Sequence, residues 1–127
     1  MSFDVKSLST SIPLRLALDC TENAIKNPTV ELPLPTSDIM DLLNLCLTST
    51  YFQYIGEHYK QLHGTAMGSP VSVVAAEIVI QNIEEQVLTT YTRTVPVWLR
   101  YVDDTFTAVH KTESTIFTNT LTDRTRT

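Results

Sequence analysis

Residues 94–110 read TVPVWLRYVDDTFTAVH, and this stretch decides which fold the chain can adopt. Apolar residues, many of them aromatic or β-branched, stand on both sides of an aspartate pair, Asp103 and Asp104. The pattern predicts a β-hairpin in which TVPVWLRYV is the first strand, the two aspartates form the turn and TFTAVH is the returning strand. Both carboxylates are therefore expected at the end of a buried hairpin.

Adjacent carboxylates at such a turn allow two interpretations. Asp is a common turn residue, so a solvated hairpin tip is the simpler one. Like charges held at a buried hairpin end repel each other unless a cation neutralises them, and hard oxygen ligands suit Mg²⁺. Asp4 follows Phe3 in another short apolar run, and two strands of one sheet can bring Asp4 beside Asp103. Two metal ions held by shared carboxylates would then stabilise an in-line phosphoryl transfer.

The rest of the sequence predicts helices and strands in the order of an α+β protein. Apolar residues at helical spacing indicate the helices, and short β-rich runs indicate the strands. We expect an antiparallel sheet packed on helices. The predicted elements are, in chain order, a strand over 2–8, a helix from Pro13 to about Asn27, a helix capped by Thr36 or Ser37, a hairpin turning at Gly56 and Glu57, a long helix with Ser69 as cap and Pro70 in its first turn, and the hairpin of 94–110.

The same patterns predict which side chains are buried. Hairpin aromatics are expected in the core, with base stacking as the less favoured alternative. The expected core residues are Tyr51, Phe52, Tyr54, Tyr59, Trp98 and, on the long helix, Val73, Ala76, Ile80, Ile83 and Val87. The residues expected in water are Glu77, Gln81, Glu84, Lys60 and Arg100.

Composition limits the class of protein. The chain has 127 residues and a net charge of −5, so it lacks the overall basic character usual in nucleic-acid binders. No apolar run approaches a membrane span, and no secretory signal is visible, so we expect no membrane association and an intracellular protein. Cys20 and Cys46 are expected to be buried thiols in a reducing compartment. Residues 111–127 are rich in Thr, and we expect this tail to be disordered, with at most a short helical turn.

A glycine-containing loop precedes the long helix. Two glycines allow the backbone to approach a ligand closely, and the helix start offers unpaired N–H groups to an anion. An ordinary loop with a capped helix explains the pattern equally well. The residues of this loop are Gly64, Thr65, Ala66, Met67, Gly68, Ser69 and Pro70.

Three segments together resemble motifs A, B and C of a reverse transcriptase palm. They are FDVKSL (3–8), HGTAMGSPVSVVAAEI (63–78) and WLRYVDDTF (98–106), in that order and spacing. Over about residues 3–110 the sequence is similar to that of the Penelope-like retroelement reverse transcriptases, which are related to telomerase. The resemblance implies a palm fold and an RNA-directed DNA polymerase activity. It also implies two Mg²⁺ ions, an RNA template, a DNA primer and deoxynucleoside triphosphates (dNTPs).

The resemblance also assigns roles to single residues. Asp4, Asp103 and Asp104 match the catalytic metal ligands, and the carbonyl of Val5 matches a further contributor to the metal shell. Tyr101 matches the aromatic residue beside the acids. The loop Gly64–Pro70 matches the segment that contacts the incoming nucleotide and the template.

Ser9 stands where the family usually has an aromatic side chain that crowds a ribose 2′-hydroxyl. That hydroxyl distinguishes RNA precursors from DNA precursors. Ser9 therefore predicts weaker sugar discrimination than an aromatic residue at this position would give.

The resemblance begins at motif A and stops soon after motif C. We therefore expect residues 1–110 to be the central part of a palm, with fingers and thumb supplied by missing segments. Those segments would also provide the basic surface that this chain lacks. An active enzyme of this kind is expected in the nucleus. The alternative is a catalytically inactive, truncated remnant that acts at most as a binding or structural module.

Overall fold

A computed structural model describes residues 1–26, 29 and 31–125. It is a mixed α+β structure with small antiparallel sheets, which confirms the predicted class of secondary structure. A 3₁₀ turn covers Lys111–Glu113. The helices are α1 (Leu8–Ser11), α2 (Leu14–Lys26), α3 (Thr36–Thr48), α4 (Pro70–Thr90) and α5 (Ser114–Thr125), and the strands are β1 (Ser2–Asp4), β2 (Tyr51–Tyr54), β3 (Glu57–Lys60), β4 (Val97–Tyr101) and β5 (Asp104–Ala108).

The chain divides into two compact units, which are described separately. The first unit contains Met1–Lys6 and Ile80–Thr127, and the second contains Ser7–Val79. Helix α4 has residues in both. Among the helices of the described residues, none is long and apolar enough to cross a membrane.

The first unit is built on a three-stranded antiparallel sheet of order β1-β5-β4. Successive side chains of a strand point to opposite faces, and here one face is buried while the other is exposed. Thr107, with no exposed surface, and Thr105, with 7% exposed, lie on the buried face. Phe3 and Arg100 share that face because both are paired with Thr105 in the register.

The hairpin turn lies one residue earlier than the sequence predicted. Tyr101 pairs with Asp104, so the two turn residues are Val102 and Asp103 rather than the two aspartates. Val102 has a φ of +56°, in the left-handed region that β-branched residues rarely adopt. A two-residue turn with positive φ at its first position matches the twist of the strands, and that match places Asp104 inside β5.

The Thr-rich tail forms a helix, contrary to the prediction of at most one turn. Phe117 of α5 has no exposed surface. Its ring centroid lies 5.0 Å from that of Tyr91, 6.1 Å from Trp98 and 6.4 Å from Phe3. The sequence prediction relied on the lack of an apolar stripe, whereas in the structure a single buried aromatic residue, Phe117, anchors this helix in the first unit.

The threonine hydroxyls of α5 form hydrogen bonds to the backbone of the same helix. Thr118, Thr120 and Thr122 each donate a hydrogen bond from Oγ1 to the carbonyl four residues earlier, at 2.8–3.0 Å. Such back-bonding keeps short polar side chains compatible with a helix. A Thr-rich composition is therefore not evidence of disorder in this segment.

The start of the tail is fixed to the end of α4 through Glu113. Tyr91 donates its hydroxyl hydrogen to Glu113 Oε2 at 2.7 Å, and Arg93 Nε lies 2.8 Å from Glu113 Oε1. The hydrogen bond to Glu113 is the main reason that the pKa of the Tyr91 phenol is raised, with burial as a second cause. The tail is thus held by polar contacts as well as by Phe117.

The second unit contains the packed pair α2 and α3. Helix α2 confirms the predicted amphipathic helix up to Lys26, and the predicted end at Asn27 lies outside the described residues. Ala17, Cys20 and Leu47 are buried at 0–6% exposure. Helix α3 begins at Thr36 after the extended residue Pro35, and in the described structure no side chain caps it, so the predicted Thr36 or Ser37 cap is wrong.

The two cysteines differ in burial. Cys20 is buried as predicted, and that burial, followed by the charge of Asp19, raises the pKa of its thiol. Cys46 is exposed, so the prediction that it is a buried thiol is wrong. The apolar spacing of α3 placed Cys46 on its buried face, but α2 covers only part of that face.

Strand β1 is shorter than the predicted 2–8. It ends at Asp4, and residues Leu8–Ser11 form the short helix α1. Ser7, with a φ of +52°, lies between them. A left-handed residue cannot continue an extended strand, so the alternating pattern of this segment was misleading.

The second hairpin, β2–β3, forms as predicted but packs differently. Its turn consists of Ile55 and Gly56, with φ values of +49° and +76°. Every residue of both strands is exposed, including Tyr51, Phe52, Tyr54 and Tyr59 at 46–66%. The prediction of a buried aromatic core here is wrong, because in the described structure β2 and β3 pair only with each other.

Helix α4 buries most of its predicted face. Ala76, Ile80 and Val87 are 5%, 7% and 0% exposed, whereas Val73 is 62% exposed and does not belong to the core. Val73 lies in the first turn of the helix. Spacing within a helix fixes which residues share a face, but only the neighbouring elements decide how far the covered part of that face extends.

Candidate functional site

An acidic row crosses the exposed face of the first unit's sheet. In the strand register, Asp4 of β1 is directly opposite Asp104 of β5, and Asp104 is directly opposite Tyr101 of β4. Directly opposed residues in antiparallel strands project from the same face with Cβ atoms about 4.5–5.5 Å apart. Two carboxylates and one aromatic ring therefore share a single row of the sheet.

Asp103 lies in the turn next to this row. Its carbonyl oxygen accepts a hydrogen bond from the backbone N–H of Val5 at 3.1 Å. The sequence placed the carboxylate of Asp103 beside Asp4, whereas the register places Asp104 there. The shift follows from the turn position, because moving the turn by one residue exchanges strand and turn residues.

The buried face of the same hairpin carries an ion pair. Arg100 Nε donates to Glu84 Oε1 at 2.7 Å, and Trp98 Nε1 donates to the same oxygen at 2.8 Å. The side chains of Arg100 and Glu84 are only 11% and 18% exposed. The predictions that both side chains are solvated are therefore wrong, because Trp98 and Arg100 occur on the strand face that turns toward α4.

Arg100 also contacts the turn directly. Its Nη1 atom donates to the carbonyl oxygen of Val102 at 3.0 Å. The carbonyls of both turn residues, Val102 and Asp103, thus accept hydrogen bonds from outside the turn. These contacts constrain the strained conformation of Val102.

Ser9 and the glycine-containing loop meet in the second unit. Thr65 donates to the carbonyl oxygen of Ser9 twice, from its backbone N–H at 2.6 Å and from Oγ1 at 2.9 Å. Thr65 has no exposed surface, and a Cβ at Gly64 would overlap the backbone of Thr10. Gly64 is therefore required for the close approach of the loop to α1.

The remainder of the loop is more open. Met67 is 80% exposed, and Gly68 has a φ of +83° with open space around its Cβ position. Ala66 accepts a hydrogen bond from the N–H of Ser69 at 3.4 Å, and Pro70 is the first residue of α4. The loop is thus buried and hydrogen-bonded at Thr65, whereas the residues just before α4 are accessible.

The predicted site residues thus form two sets. Asp4, Val5, Tyr101, Asp103 and Asp104 lie together in the first unit, and Ser9 lies against the loop Gly64–Pro70 in the second. The sequence did not single out Glu84 and Arg100 as functional. The alternation that brings Trp98 and Arg100 to one strand face was a usable signal, but nothing local identified Glu84 as their partner.

The acidic row has the chemistry that a hard cation needs. No group of three or more His, Cys, Asp or Glu side chains in the described residues is arranged to hold a metal ion. Magnesium commonly uses one or two carboxylates and keeps several waters, so the opposed Asp4 and Asp104 fit it.

Comparison with known proteins adds no family assignment. No protein-family model matches the chain, and no curated protein matches it.

Proposed function

We propose that this chain forms the central palm part of an RNA-directed DNA polymerase. The observation that carries the proposal is the direct opposition of Asp4 and Asp104 in the sheet, with Asp103 in the adjoining turn. Motifs A and C supply Asp4 and Asp104, which are cross-strand neighbours at one end of the sheet, and this proximity supports a common site for both motifs.

The reaction in this proposal is nucleotidyl transfer. The primer 3′-oxygen forms a bond to the α-phosphorus of a dNTP, the bond to the β-phosphate oxygen breaks, and pyrophosphate leaves. The carboxylates of Asp4, Asp103 and Asp104 and the carbonyl of Val5 would hold two Mg²⁺ ions. Bound Mg²⁺ supplies positive charge against the triphosphate and favours deprotonation of the attacking hydroxyl.

The face that carries the acids is accessible to a large substrate. Tyr101, Leu99 and Phe106 on this face are 81%, 63% and 55% exposed. Apolar side chains beside a pair of carboxylates suit a ligand with apolar surfaces and a charged backbone. In this proposal the base-paired primer and template lie against this face.

Ser9 would take the position of the sugar gate. Its carbonyl accepts two hydrogen bonds from Thr65, so the motif B loop fixes the backbone of Ser9. In this proposal the serine side chain crowds a ribose 2′-hydroxyl less than the aromatic side chain usual in the family would. We therefore expect the 2′-hydroxyl of a ribonucleotide to be tolerated.

The test has a binding arm and a catalytic arm. Mg²⁺ binding to the 127-residue chain is measured by calorimetry, with Mn²⁺ paramagnetic resonance as a second readout. Asp4→Asn and Asp104→Asn should each weaken binding at least about 10-fold, because each removes a charged ligand. Asp41→Asn, which changes an exposed acid on α3, is the matched control and should bind as the wild type does.

The catalytic arm joins this chain to the fingers and thumb of a related reverse transcriptase. The chimera should extend a primer on an RNA template in the presence of Mg²⁺, and Asp103→Asn should abolish the extension. Ser9→Phe should lower the incorporation of ribonucleotides relative to deoxynucleotides. A chimera that folds and binds Mg²⁺ but never extends a primer would favour the alternative of an inactive remnant.

A further inference from the structure

The hairpin turn that carries Asp103 holds a strained conformation. Val102 has a φ of +56°, in the left-handed region that is sterically unfavourable for a β-branched L-residue. Strain of this kind persists only where the surroundings over-determine the conformation. The question is therefore which contacts hold Val102 in place.

The side chain of Arg100 reaches the strained residue. Its Nη1 atom donates to the Val102 carbonyl at 3.0 Å, while its Nε atom is bound by Glu84 Oε1 at 2.7 Å. A guanidinium is planar, so fixing one edge with a carboxylate also fixes the direction of the other donors. Trp98 donates to the same Glu84 oxygen at 2.8 Å and fixes that oxygen in turn.

The position of Arg100 indicates that it supports the turn and does not directly neutralise the charges of the acidic row. Arg100 pairs with Thr105, and Tyr101 pairs with Asp104, so Arg100 and the acidic row project from opposite faces of the sheet. The guanidinium therefore does not belong to the ligand set. Its contact with the turn that carries Asp103 includes the hydrogen bond to the Val102 carbonyl.

We propose that Glu84 and Arg100 are positioning residues, which hold the strained Val102–Asp103 turn from the buried face so that the acidic row is preset for a divalent cation. This inference rests on the proposed function, because it assumes that the row binds Mg²⁺. Mutation of side chains that orient metal ligands without touching the metal commonly lowers metal affinity about 10- to 100-fold. We expect an effect of about this size here.

The first test measures Mg²⁺ affinity in two conservative variants. Arg100→Lys keeps the positive charge but loses the planar fork, and Glu84→Gln keeps the size of the acceptor but loses its charge. Each should raise the dissociation constant for Mg²⁺ at least about 10-fold. Arg93→Gln, which breaks the ion pair of Arg93 with Glu113, is the control and should leave the constant within about twofold of the wild type.

A rescue experiment distinguishes bracing from general loss of structure. Glycine adopts a positive φ without strain, so Val102→Gly removes the need for the brace. In the Arg100→Lys background, Val102→Gly should recover at least half of the lost affinity, counted on a logarithmic scale. Circular dichroism confirms that each variant is folded, and amide chemical shifts of Val102 and Asp103 without metal report the turn conformation directly.

The outcomes separate the two proposals. A wild type that binds no Mg²⁺ removes the basis of the proposed function. A wild type that binds Mg²⁺, with Arg100→Lys and Glu84→Gln binding equally well, overturns the bracing role alone. Lost affinity with unchanged turn shifts and no rescue by Val102→Gly also overturns it, whereas loss with rescue establishes it. If Arg100→Lys fails to fold, the decision falls on Glu84→Gln, with Val102→Gly tested in that background.

Discussion

The hairpins β2–β3 and β4–β5 both turn through two residues, and each turn begins with a β-branched residue at positive φ, Ile55 or Val102. In β2–β3 every strand residue is exposed, whereas β4–β5 alternates between exposed and covered positions. The difference lies outside the hairpins. A third strand, β1, pairs with β5 and extends the sheet. The α4 carboxylate of Glu84 and the α5 ring of Phe117 lie against Trp98 on one face of β4–β5.

This comparison shows what the candidate site depends on. Isolated two-stranded hairpins are marginally stable in water, and additional strands or a packed helix are needed for a defined conformation. The acidic row has such support, because β1 brings Asp4 and the buried face fixes the turn. The aromatic residues of β2–β3 contact residues of their own hairpin: Phe52 stacks on Tyr59 at 5.4 Å, and Lys60 Nζ lies 6.0 Å from the centroid of the Tyr51 ring.

The largest expected effect comes from removing the aromatic anchor behind β4–β5. Phe117→Ala should lower the free energy of unfolding by about 3–5 kcal/mol, because it empties a fully buried site among three aromatic rings. Phe52→Ala, on the exposed hairpin, should lower it by only about 1 kcal/mol or less. Urea denaturation measures both, and equal effects would mean that α5 is not part of the core.

A smaller effect should follow from removing a buried hydroxyl of β5. Thr107 Oγ1 donates to the Val97 carbonyl at 2.8 Å, and Thr107 has no exposed surface. Thr107→Val keeps the volume and should destabilise the first unit by about 1–2 kcal/mol. Thr107→Ser keeps the hydroxyl and separates the hydrogen bond from packing. Thermal melts that are unchanged by Thr107→Val would show that this bond adds nothing.

Because the carboxylates of the acidic row repel each other, we expect the effect of Asp4→Asn on stability to change sign when Mg²⁺ is added. Without Mg²⁺, Asp4→Asn should raise the free energy of unfolding by about 0.2–1 kcal/mol, because like charges directly opposite each other in a sheet are destabilising. With saturating Mg²⁺, the wild type should become the more stable protein. Denaturation curves with and without the metal test this, and a variant that is less stable in both conditions would contradict the repulsion.

The smallest effect concerns the exposed hairpin itself. Ile55 and Gly56 both have positive φ, which is the requirement of a type I′ turn, and Asn-Gly is the favoured pair for it. Ile55→Asn should therefore increase the population of the β2–β3 hairpin and stabilise it by a few tenths of a kcal/mol. Cross-strand NMR contacts between Phe52 and Tyr59 measure the change. Weaker contacts in the variant would show that the turn is held by other means.

Much of the secondary structure was predictable because it depends on local patterns. The amphipathic α2, the start of α4 at Pro70 and both hairpins follow from apolar periodicity and turn residues within each segment. The tail was not predictable in this way, since α5 is held by Phe117 and by the contacts of Glu113. These partners lie elsewhere in the first unit, and no pattern within residues 111–125 reveals them.

The site divides in the same manner. The sequence by itself determined that carboxylates end two apolar runs, and that a glycine stands where the loop approaches α1, because residue type and local spacing carry that information. Only the tertiary structure decided that Asp104, not Asp103, is opposite Asp4. It also decided that Arg100 and Glu84 are covered and paired. Strand register and burial depend on long-range contacts, and a turn displaced by one residue changes every cross-strand partner that follows.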